Sequence, residues 1–288
     1  MMKNKKKEND RVNKQYKILA SDLDGTLLGE GQCVSTENLQ AIEKMHSLGV
    51  EFVPATGRSL GEIPHEIMTS SFIRYIITSD GAALWDKATE KMIITQYIPK
   101  DVVKFILDTV EPYTNYALVH EGGKTYYNEE INMSEIFEVC HVDDYFGSII
   151  RERTHPKAAY YDFIMNSDAV EMFCIFFESK DALEKCRRIF LDSGKLSVAQ
   201  SAPYNLEVCY SKAGKGNTLL TLAEALGVGQ NEVIAVGDST NDRSLIKAAG
   251  LGLAMENACD ELKTIADKTI CKYSEHSAKY ILENFISN

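Results

Sequence analysis

Short apolar runs alternate with longer segments of helical periodicity from residue 16 onward. Residues 16–21, YKILAS, predict a strand, and residues 35–50 place Leu39, Ile42 and Met45 on one face of a helix. Two further strands, separated by a predicted helix, follow before residue 80. This order of elements is typical of a parallel sheet with helices packed on its faces.

The same alternation returns near the C-terminus, where residues 216–228 predict a helix and residues 231–239 a strand, followed by another helix and strand. The intervening stretch differs, because β-rich runs dominate it and helices are fewer. We therefore predict an α/β fold: a Rossmann-like doubly wound parallel sheet with an α+β domain inserted into it. The predicted core comprises residues 15–85 and 209–288, and the inserted domain comprises residues 86–208.

Composition narrows the possible partners and the cellular compartment. The formal net charge of −11 would repel nucleic acids and anionic membranes, so neither is an expected partner. Residues 1–14 are polar and lysine-rich, which predicts a disordered lead-in and not a signal peptide or membrane anchor. Seven cysteines without a C-x-x-C pair favour reduced thiols and a cytoplasmic protein.

Four polar clusters stand at points where ligands commonly bind. Three follow directly on predicted strands, and they are Asp22 with Asp24, the tripeptide 56–58 (TGR), and residues 237–242 (GDSTND). The fourth cluster surrounds Lys215, which opens a predicted helix. In open parallel sheets, ligands bind in the crevice outside the carboxyl ends of the strands.

Each cluster has an ordinary structural explanation when it is taken alone. Asp-Gly pairs are common in turns, a single lysine is usually solvated, and a polar turn often caps a helix. Several carboxylates that converge at one sheet edge, however, repel one another unless a cation lies among them, and oxygen ligands suit Mg²⁺. A metal with open positions indicates an anionic substrate, most often a phosphate. The four clusters together supply a nucleophile, a proton donor, a metal site and donors for phosphoryl oxygens.

The motifs DLDGT, TGR, a lysine and GDSTND, in this order, resemble those of the haloacid dehalogenase-like phosphatases from about residue 16 to the C-terminus. The resemblance implies that Asp22 is the nucleophile and a Mg²⁺ ligand. It implies that Asp24 is the general acid and base, with its backbone carbonyl on the metal. The resemblance also implies substrate contacts from Thr56, Gly57, Arg58, Lys215 and Asn241. Of these, Thr56 and Lys215 would also be catalytic residues. Asp238 and Asp242 would be further metal ligands.

Spacing selects a subgroup of this family. Asp24 and Thr56 are 32 positions apart, whereas Thr56 and Lys215 are 159 apart, which leaves room for a complete domain only after the second motif. The sequence is therefore similar to the Cof-type members, in which an α/β cap is inserted there. Asp80 stands where the subgroup commonly has asparagine, and Gly214 where it often has serine. These departures leave the choice of substrate open.

The resemblance implies a Mg²⁺-dependent phosphatase that hydrolyses a small phosphorylated metabolite, such as a sugar phosphate, nucleotide or phosphorylated cofactor, through an aspartyl phosphate. A sugar phosphomutase with the same intermediate is one alternative, and a non-catalytic phosphate-responsive module is another. The family resemblance favours a monomer. In the inserted domain, residues 119–128 and 149–157 carry cationic and aromatic groups that suit either a leaving group or a solvated surface.

Overall fold

A computed structural model describes residues 16–29, 32–114, 116–140, 142 and 144–287. The predicted lead-in, residues 1–14, lies outside the described residues. Within the described part, the strands form one parallel sheet, one six-stranded sheet and one three-stranded sheet. The strands β1 to β14, in chain order, are Ile18–Ser21, Glu51–Pro54, Tyr75–Thr78, Ala83–Asp86, Lys91–Thr95, Ala117–Glu121, Lys124–Asn128, Thr154–Lys157, Val170–Phe176, Leu196–Ala199, Asn205–Tyr210, Val233–Gly237, Leu251–Ala254 and Lys268–Thr269.

The helices cover the faces of these sheets. The α-helices α1 to α11, in chain order, are Thr36–Ser47, His65–Thr69, Lys100–Val110, Met133–Val139, Asp144–Arg153, Tyr160–Asn166, Lys180–Asp192, Lys215–Ala225, Arg243–Ala248, Asp260–Ile265 and Ser277–Ile281. Short 3₁₀ turns lie at Leu60–Glu62, Ser79–Gly81, Gln230–Glu232, Thr240–Asp242 and Tyr273–Glu275, and π-helical turns at Leu23–Leu27 and Leu282–Ile286.

The parallel sheet has the strand order β14-β13-β12-β1-β2. Strand β1 lies between β12 and β2 and is buried along its whole length, which explains why residues 18–20 (ILA) are apolar without alternation. The first helix α1 begins after Ser35, whose hydroxyl accepts a hydrogen bond from the Asn38 amide. Gly49 follows that helix with a positive φ of 77°.

The segment between β2 and β3 is less helical than the sequence predicts. It consists of a 3₁₀ turn at Leu60–Glu62 and the short helix His65–Thr69. Pro64 separates the two with an extended backbone, because its ring removes a backbone donor and disfavours helix at the residue before it.

A three-stranded antiparallel sheet, β3-β4-β5, leads the chain away from the parallel sheet. Strand β3 lies beside β2, and a parallel bridge joins Ala55 to Ile77. The sheet extends from Tyr75 to Thr95, so it spans the boundary predicted between residues 85 and 86.

The six-stranded sheet has the order β10-β11-β9-β6-β7-β8 and is antiparallel except for the β7–β8 pair. We call this sheet and its helices the cap. Residues of one face, such as Phe173, Ile175 and Val208, pack in a core with helices α3, α6 and α7. Alternate residues of the same strands point to the other face, which lies over the polar end of the parallel sheet.

None of the helices in the described part of the chain combines the length and the hydropathy that a membrane crossing requires. All seven cysteines lie among the described residues, and each is a free thiol. The prediction of reduced cysteines agrees with this arrangement.

Candidate active site

Asp22 and Asp24 lie on the turn that follows β1. The Asp22 side chain is buried, and its backbone N–H donates to the carbonyl of Val236 on the neighbouring strand β12. Gly25 has a positive φ of 72°, and a Cβ at this position would collide with the Asp238 carboxylate. The glycine therefore allows the first motif to pack directly against the motif that follows β12.

Lys215 joins two of the predicted clusters through its ammonium group. It is fully buried at the start of α8, and its Nζ donates to Asp22 Oδ1 at 2.8 Å and to Asp242 Oδ1 at 2.7 Å. Burial alone would lower the pKa of Lys215, but the charges of Asp22 and Asp242 raise that pKa well above its usual value. The lysine is thus a fixed cation between two carboxylates.

Three carboxylates converge beside this lysine, and an oxygen from each of Asp22, Asp238 and Asp242 lies within 4.8 Å of the others. Burial, followed by repulsion from Asp242, raises the pKa of Asp22 well above its usual value and that of Asp238 to about 7. Asp238 Oδ1 is buried and has no hydrogen bond within the described residues. A divalent cation bound by these oxygens would offset the repulsion between the carboxylates and would provide a partner for Asp238 Oδ1, so the donor set fits Mg²⁺.

Asp242 differs from the other two carboxylates because donors already occupy both of its oxygens. One oxygen accepts from Lys215, and the other accepts from the backbone N–H groups of Asp238 and Ser239 at 3.0 and 3.1 Å. Its side chain is fully buried. Asp242 therefore fixes the GDSTND turn and the lysine, whereas Asp22 and Asp238 have oxygens that are less engaged.

The second motif lies directly across from the first. Thr56 is buried after β2, and its hydroxyl accepts a hydrogen bond from the Arg58 backbone N–H at 3.1 Å. The Arg58 guanidinium holds Asp24 through both carboxylate oxygens, with Nε–Oδ2 at 2.8 Å and Nη2–Oδ1 at 2.5 Å. Arg58 lines the cavity described below, as expected of a residue that contacts substrate, and it also forms this bidentate pair with Asp24.

Gly57 and Asn241 meet around Asp80. A Cβ on Gly57 would lie 3.3 Å from Asp80 Oδ1, and Asn241 Nδ2 donates to that same oxygen at 3.1 Å. Asp80 also lies 3.8 Å from the Lys215 ammonium. Burial raises the pKa of Asp80, while Lys215 opposes the shift. The aspartate that replaces the usual asparagine therefore adds a carboxylate to the rear of the site.

These groups form the floor of a cavity of about 310 Å³ between the parallel sheet and the cap. The opposite side, which we call the cap wall, comprises Leu118, His120, Ile150, Met172, Cys174, Ser201 and Glu207. The structure thus brings all the predicted site residues together around or directly beneath one cavity. The sequence commits to no residue of the cap wall, although His120 and Ile150 lie in the two stretches, 119–128 and 149–157, that it leaves open. Glu207 gives a further usable signal as the charged residue within the buried strand NLEVCY.

A buried polar network holds the cap against the core. Ser79 Oγ donates to Glu171 Oε2 at 2.6 Å and lies 3.0 Å from His120 Nδ1. Thr125 Oγ1 donates to Ser59 Oγ at 2.9 Å. Because these polar groups are buried and paired across the two parts, they favour one orientation of the cap over the site.

The family comparison agrees with this geometry. A family model of haloacid dehalogenase-like hydrolases matches residues 19–282. The chain belongs to this family. Among its relatives, phosphatase YwpJ of Bacillus subtilis (strain 168) is 28% identical over 288 residues, which cover 94% of this chain and 100% of the relative.

A second relative from the same Bacillus strain is 5-amino-6-(5-phospho-D-ribitylamino)uracil phosphatase YcsE, which is 30% identical over 266 residues, 89% of this chain and 90% of the relative. A solved structure of a haloacid dehalogenase-like hydrolase from B. subtilis matches with a TM-score of 0.80 and 28% identity, over 93% of this chain and 99% of that one. These findings confirm the predicted family and fold class, and they place this hydrolase among the phosphatases of the family.

Proposed function

We propose that this hydrolase is a Mg²⁺-dependent phosphatase that releases phosphate from a small phosphorylated metabolite through an aspartyl phosphate on Asp22. The observation that carries the proposal is the position of Asp22 at the floor of the cavity. There it is paired with a buried Lys215 and adjoins the incompletely paired carboxylate of Asp238.

In this proposal Asp22 and Asp238 would hold Mg²⁺ together with the backbone carbonyl of Asp24, and Asp242, predicted as a further ligand, would support the metal site by fixing Lys215 and the backbone of Asp238. The bound ion would offset the carboxylate charges and polarise a phosphoryl oxygen. Lys215 opposes the rise in the pKa of Asp22 that burial and Asp242 cause, because its ammonium stabilises the buried carboxylate.

The proposed reaction has two steps at one phosphorus atom. A carboxylate oxygen of Asp22 forms a bond to phosphorus while the bond to the ester oxygen breaks, and Asp24 gives its proton to that oxygen. Water then attacks the phosphorus, loses a proton to Asp24 and releases inorganic phosphate, which restores the Asp22 carboxylate. The bidentate pair with Arg58 orients Asp24 and favours its ionised form, so in this proposal Asp24 gives up one guanidinium N–H bond whenever it carries the transferred proton.

The phosphoryl oxygens need donors that are fixed before the substrate arrives. We assign this part to the Thr56 hydroxyl, the Gly57 backbone N–H and the Asn241 amide, with Lys215 behind them. Gly57 suits the role because its missing side chain leaves room beside Asp80. The Thr56 hydroxyl accepts a hydrogen bond from the Arg58 backbone N–H, and this contact orients it.

Names of relatives support a small substrate without identifying it. YcsE is named for a phosphoribitylamino uracil, and a relative from Yersinia pseudotuberculosis that is 27% identical over 86% of each chain is named HMP-PP phosphatase. For the present chain we propose a small phosphorylated metabolite, which can be a sugar phosphate, a nucleotide or a phosphorylated cofactor. A monomeric state and a cytoplasmic location stay predictions.

Phosphate release from phenyl phosphate, with and without Mg²⁺, tests the proposal. We expect metal-dependent release and a phosphoryl adduct of the intact protein that is trapped by acid quenching. Absence of release from phenyl phosphate and from a panel of phosphorylated metabolites would contradict the proposed function. Transfer of the phosphoryl group to a sugar without release of phosphate would instead indicate a phosphomutase.

A further inference from the structure

Five of the seven cap-wall residues occupy neighbouring positions on three strands of the cap sheet, and the other two are Ile150 on α5 and Ser201 after β10. Leu118 on β6 pairs with Cys174 on β9, and Cys174 in turn pairs with Glu207 on β11. His120 pairs with Met172 in the adjacent cross-strand row. Because alternate residues of a strand share one face, these side chains form a single surface directed at the cavity.

This surface is mainly apolar and lacks a free cation. Among the described residues that form the cap wall, none is lysine or arginine. His120 has acceptors near both ring nitrogens, since Nδ1 lies 3.0 Å from Ser79 Oγ and Nε2 lies 3.8 Å from Glu62 Oε2. An anionic group of a substrate would therefore find no unengaged positive partner on this wall.

Glu207 supplies the carboxyl group of the wall. Its Oε1 accepts a hydrogen bond from Ser201 Oγ at 2.6 Å, whereas Oε2 is buried and no donor among the described residues reaches it. Burial and the neighbouring Asp80 raise the pKa of Glu207 to about 8. Two carboxyl groups thus face each other with too few donors, so an N–H or O–H group from a ligand would be favoured here.

We propose that the substrate's leaving group is uncharged, that one apolar face of it packs on Leu118, Met172 and Cys174, and that it donates a hydrogen bond to Glu207. This inference rests on the proposed phosphatase function and specifies its substrate class. A second carboxylate or phosphate on the leaving group would lie against the Asp80–Glu207 pair, whose negative charge increases as the pH rises through the Glu207 pKa of about 8, and like charges are costly in a site shielded from water.

Two arginines close to the cavity do not alter this conclusion. The Nη1 atoms of Arg58 and Arg153 both donate to the backbone carbonyl of Glu62, at 3.2 and 2.5 Å. Arg58 is also bidentate on Asp24, and Arg153 lies outside the residues that line the cavity. The volume of about 310 Å³ also restricts the substrate, because it lies at the small end of typical ligand sites, which span roughly 300–1,000 Å³.

A matched pair of aryl phosphates tests the inference. 4-Carbamoylphenyl phosphate has a neutral amide with N–H donors, and 4-carboxyphenyl phosphate has a carboxylate of nearly the same shape. We expect the wild-type protein to favour the amide at least about tenfold in kcat/KM, because an unpaired like charge in a shielded site costs more than that. Phenyl phosphate serves as the reference that reports the phosphatase chemistry itself.

At pH 9, above the Glu207 pKa of about 8, the variant Glu207→Gln should reduce this preference severalfold, since it removes the carboxylate that favours the donor and opposes the anion. The ratio of kcat/KM for the two esters in this variant also serves as a reference, because the intrinsic reactivity of the esters is the same for both proteins. Glu184→Gln, an exposed glutamate on α7, is the matched control and should keep the wild-type ratio. Thermal unfolding verifies that both variants are folded.

The outcomes separate this inference from the proposed function. Failure to hydrolyse even phenyl phosphate would overturn the phosphatase proposal. Hydrolysis of phenyl phosphate with equal or better use of the carboxylate ester would overturn the inference alone. An unchanged ratio in a folded Glu207→Gln variant would overturn the part assigned to Glu207. The wild-type comparison decides the charge preference even if that variant is unstable.

Discussion

The two walls of the cavity are built in different ways. On the core side, Lys215 bonds to Asp22 and Asp242, and Asp242 bonds in turn to two backbone N–H groups, so each charge is fixed by several partners. On the cap side, Leu118, Met172 and Cys174 offer shape and apolar surface with few hydrogen bonds.

This difference assigns separate tasks to the two walls. Phosphoryl transfer requires charges whose positions do not depend on which substrate is bound, and a fixed network provides them. Discrimination between leaving groups requires contacts that depend on size and polarity, and an apolar wall with a single carboxyl provides those. Variants of the core wall should therefore lower the rate of hydrolysis of every substrate, whereas variants of the cap wall should change the order in which the enzyme prefers its substrates.

The largest effect is expected for Asp22→Asn. The amide keeps the shape of the side chain but is a poor nucleophile, so kcat for every phosphate ester should fall by at least about 10³-fold. Steady-state phosphate release measures the loss, and Asp168→Asn, an exposed aspartate in the cap, is the control. Undiminished hydrolysis by Asp22→Asn would refute the assignment of the nucleophile.

The variant Lys215→Met should affect both activity and stability. Loss of the ammonium group leaves Asp22 and Asp242 buried without their cation. The free energy of unfolding should therefore fall by about 3–5 kcal/mol and kcat by about 10²-fold. Urea unfolding and phosphate release measure the two effects. Lys212→Met, an exposed lysine three residues earlier, should change neither, and equal effects of the two variants would argue against the network.

A smaller and more selective effect is expected for Ile150→Val in the cap wall. Removing one methylene widens the cavity, so KM should change by about two- to tenfold for bulky leaving groups while kcat for phenyl phosphate stays within about twofold. Kinetics with a short series of aryl and alkyl phosphates provide the measurement. Ile189→Val, at an exposed position of α7, is the matched control; a uniform loss across the series would remove the distinction between the walls.

The smallest effect concerns pH and the metal. Because the pKa of Asp238 is raised to about 7, the folded protein without metal binds this proton more tightly than the unfolded chain, and the stability from this group falls as pH rises through 7. Mg²⁺ competes with the same proton. The rise in Tm on adding Mg²⁺ should therefore be about 2 °C larger at pH 8 than at pH 6.

Differential scanning fluorimetry at the two pH values measures this difference. Asp238→Asn should reduce the Mg²⁺-dependent rise and remove most of its pH dependence, because the asparagine does not titrate. An equal rise at both pH values in the wild-type protein would show that Asp238 is not the group that competes for the metal.

Local patterns predicted much of the core. The apolar run of β1, the helix that starts after Ser35, and the strand before GDSTND occur where the sequence indicates them. These elements follow from periodicity and capping, which act over a few residues. The helix predicted before β3 was partly wrong because Pro64 interrupts it.

Pairings between distant residues were not predictable in the same way. The Arg58–Asp24 pair and the Asp80–Asn241 bond connect positions that are 34 and 161 residues apart. The left-handed backbone of Asp80, with φ of 52°, turns its side chain toward the core motifs. No local pattern specifies such contacts, because they arise from how the loops after separate strands meet.

The sequence by itself determined the doubly wound core and the four polar clusters, three at the ends of strands and one at the start of a helix, because residue type, periodicity and order along the chain suffice for both. Only the tertiary structure decided which side chains face those clusters from the cap. The register of β6, β9 and β11 places Leu118, Cys174 and Glu207 in one row. A shift of one residue in any strand would turn its side chain to the other face, so the cavity's selectivity depends on strand pairing that the linear sequence does not display.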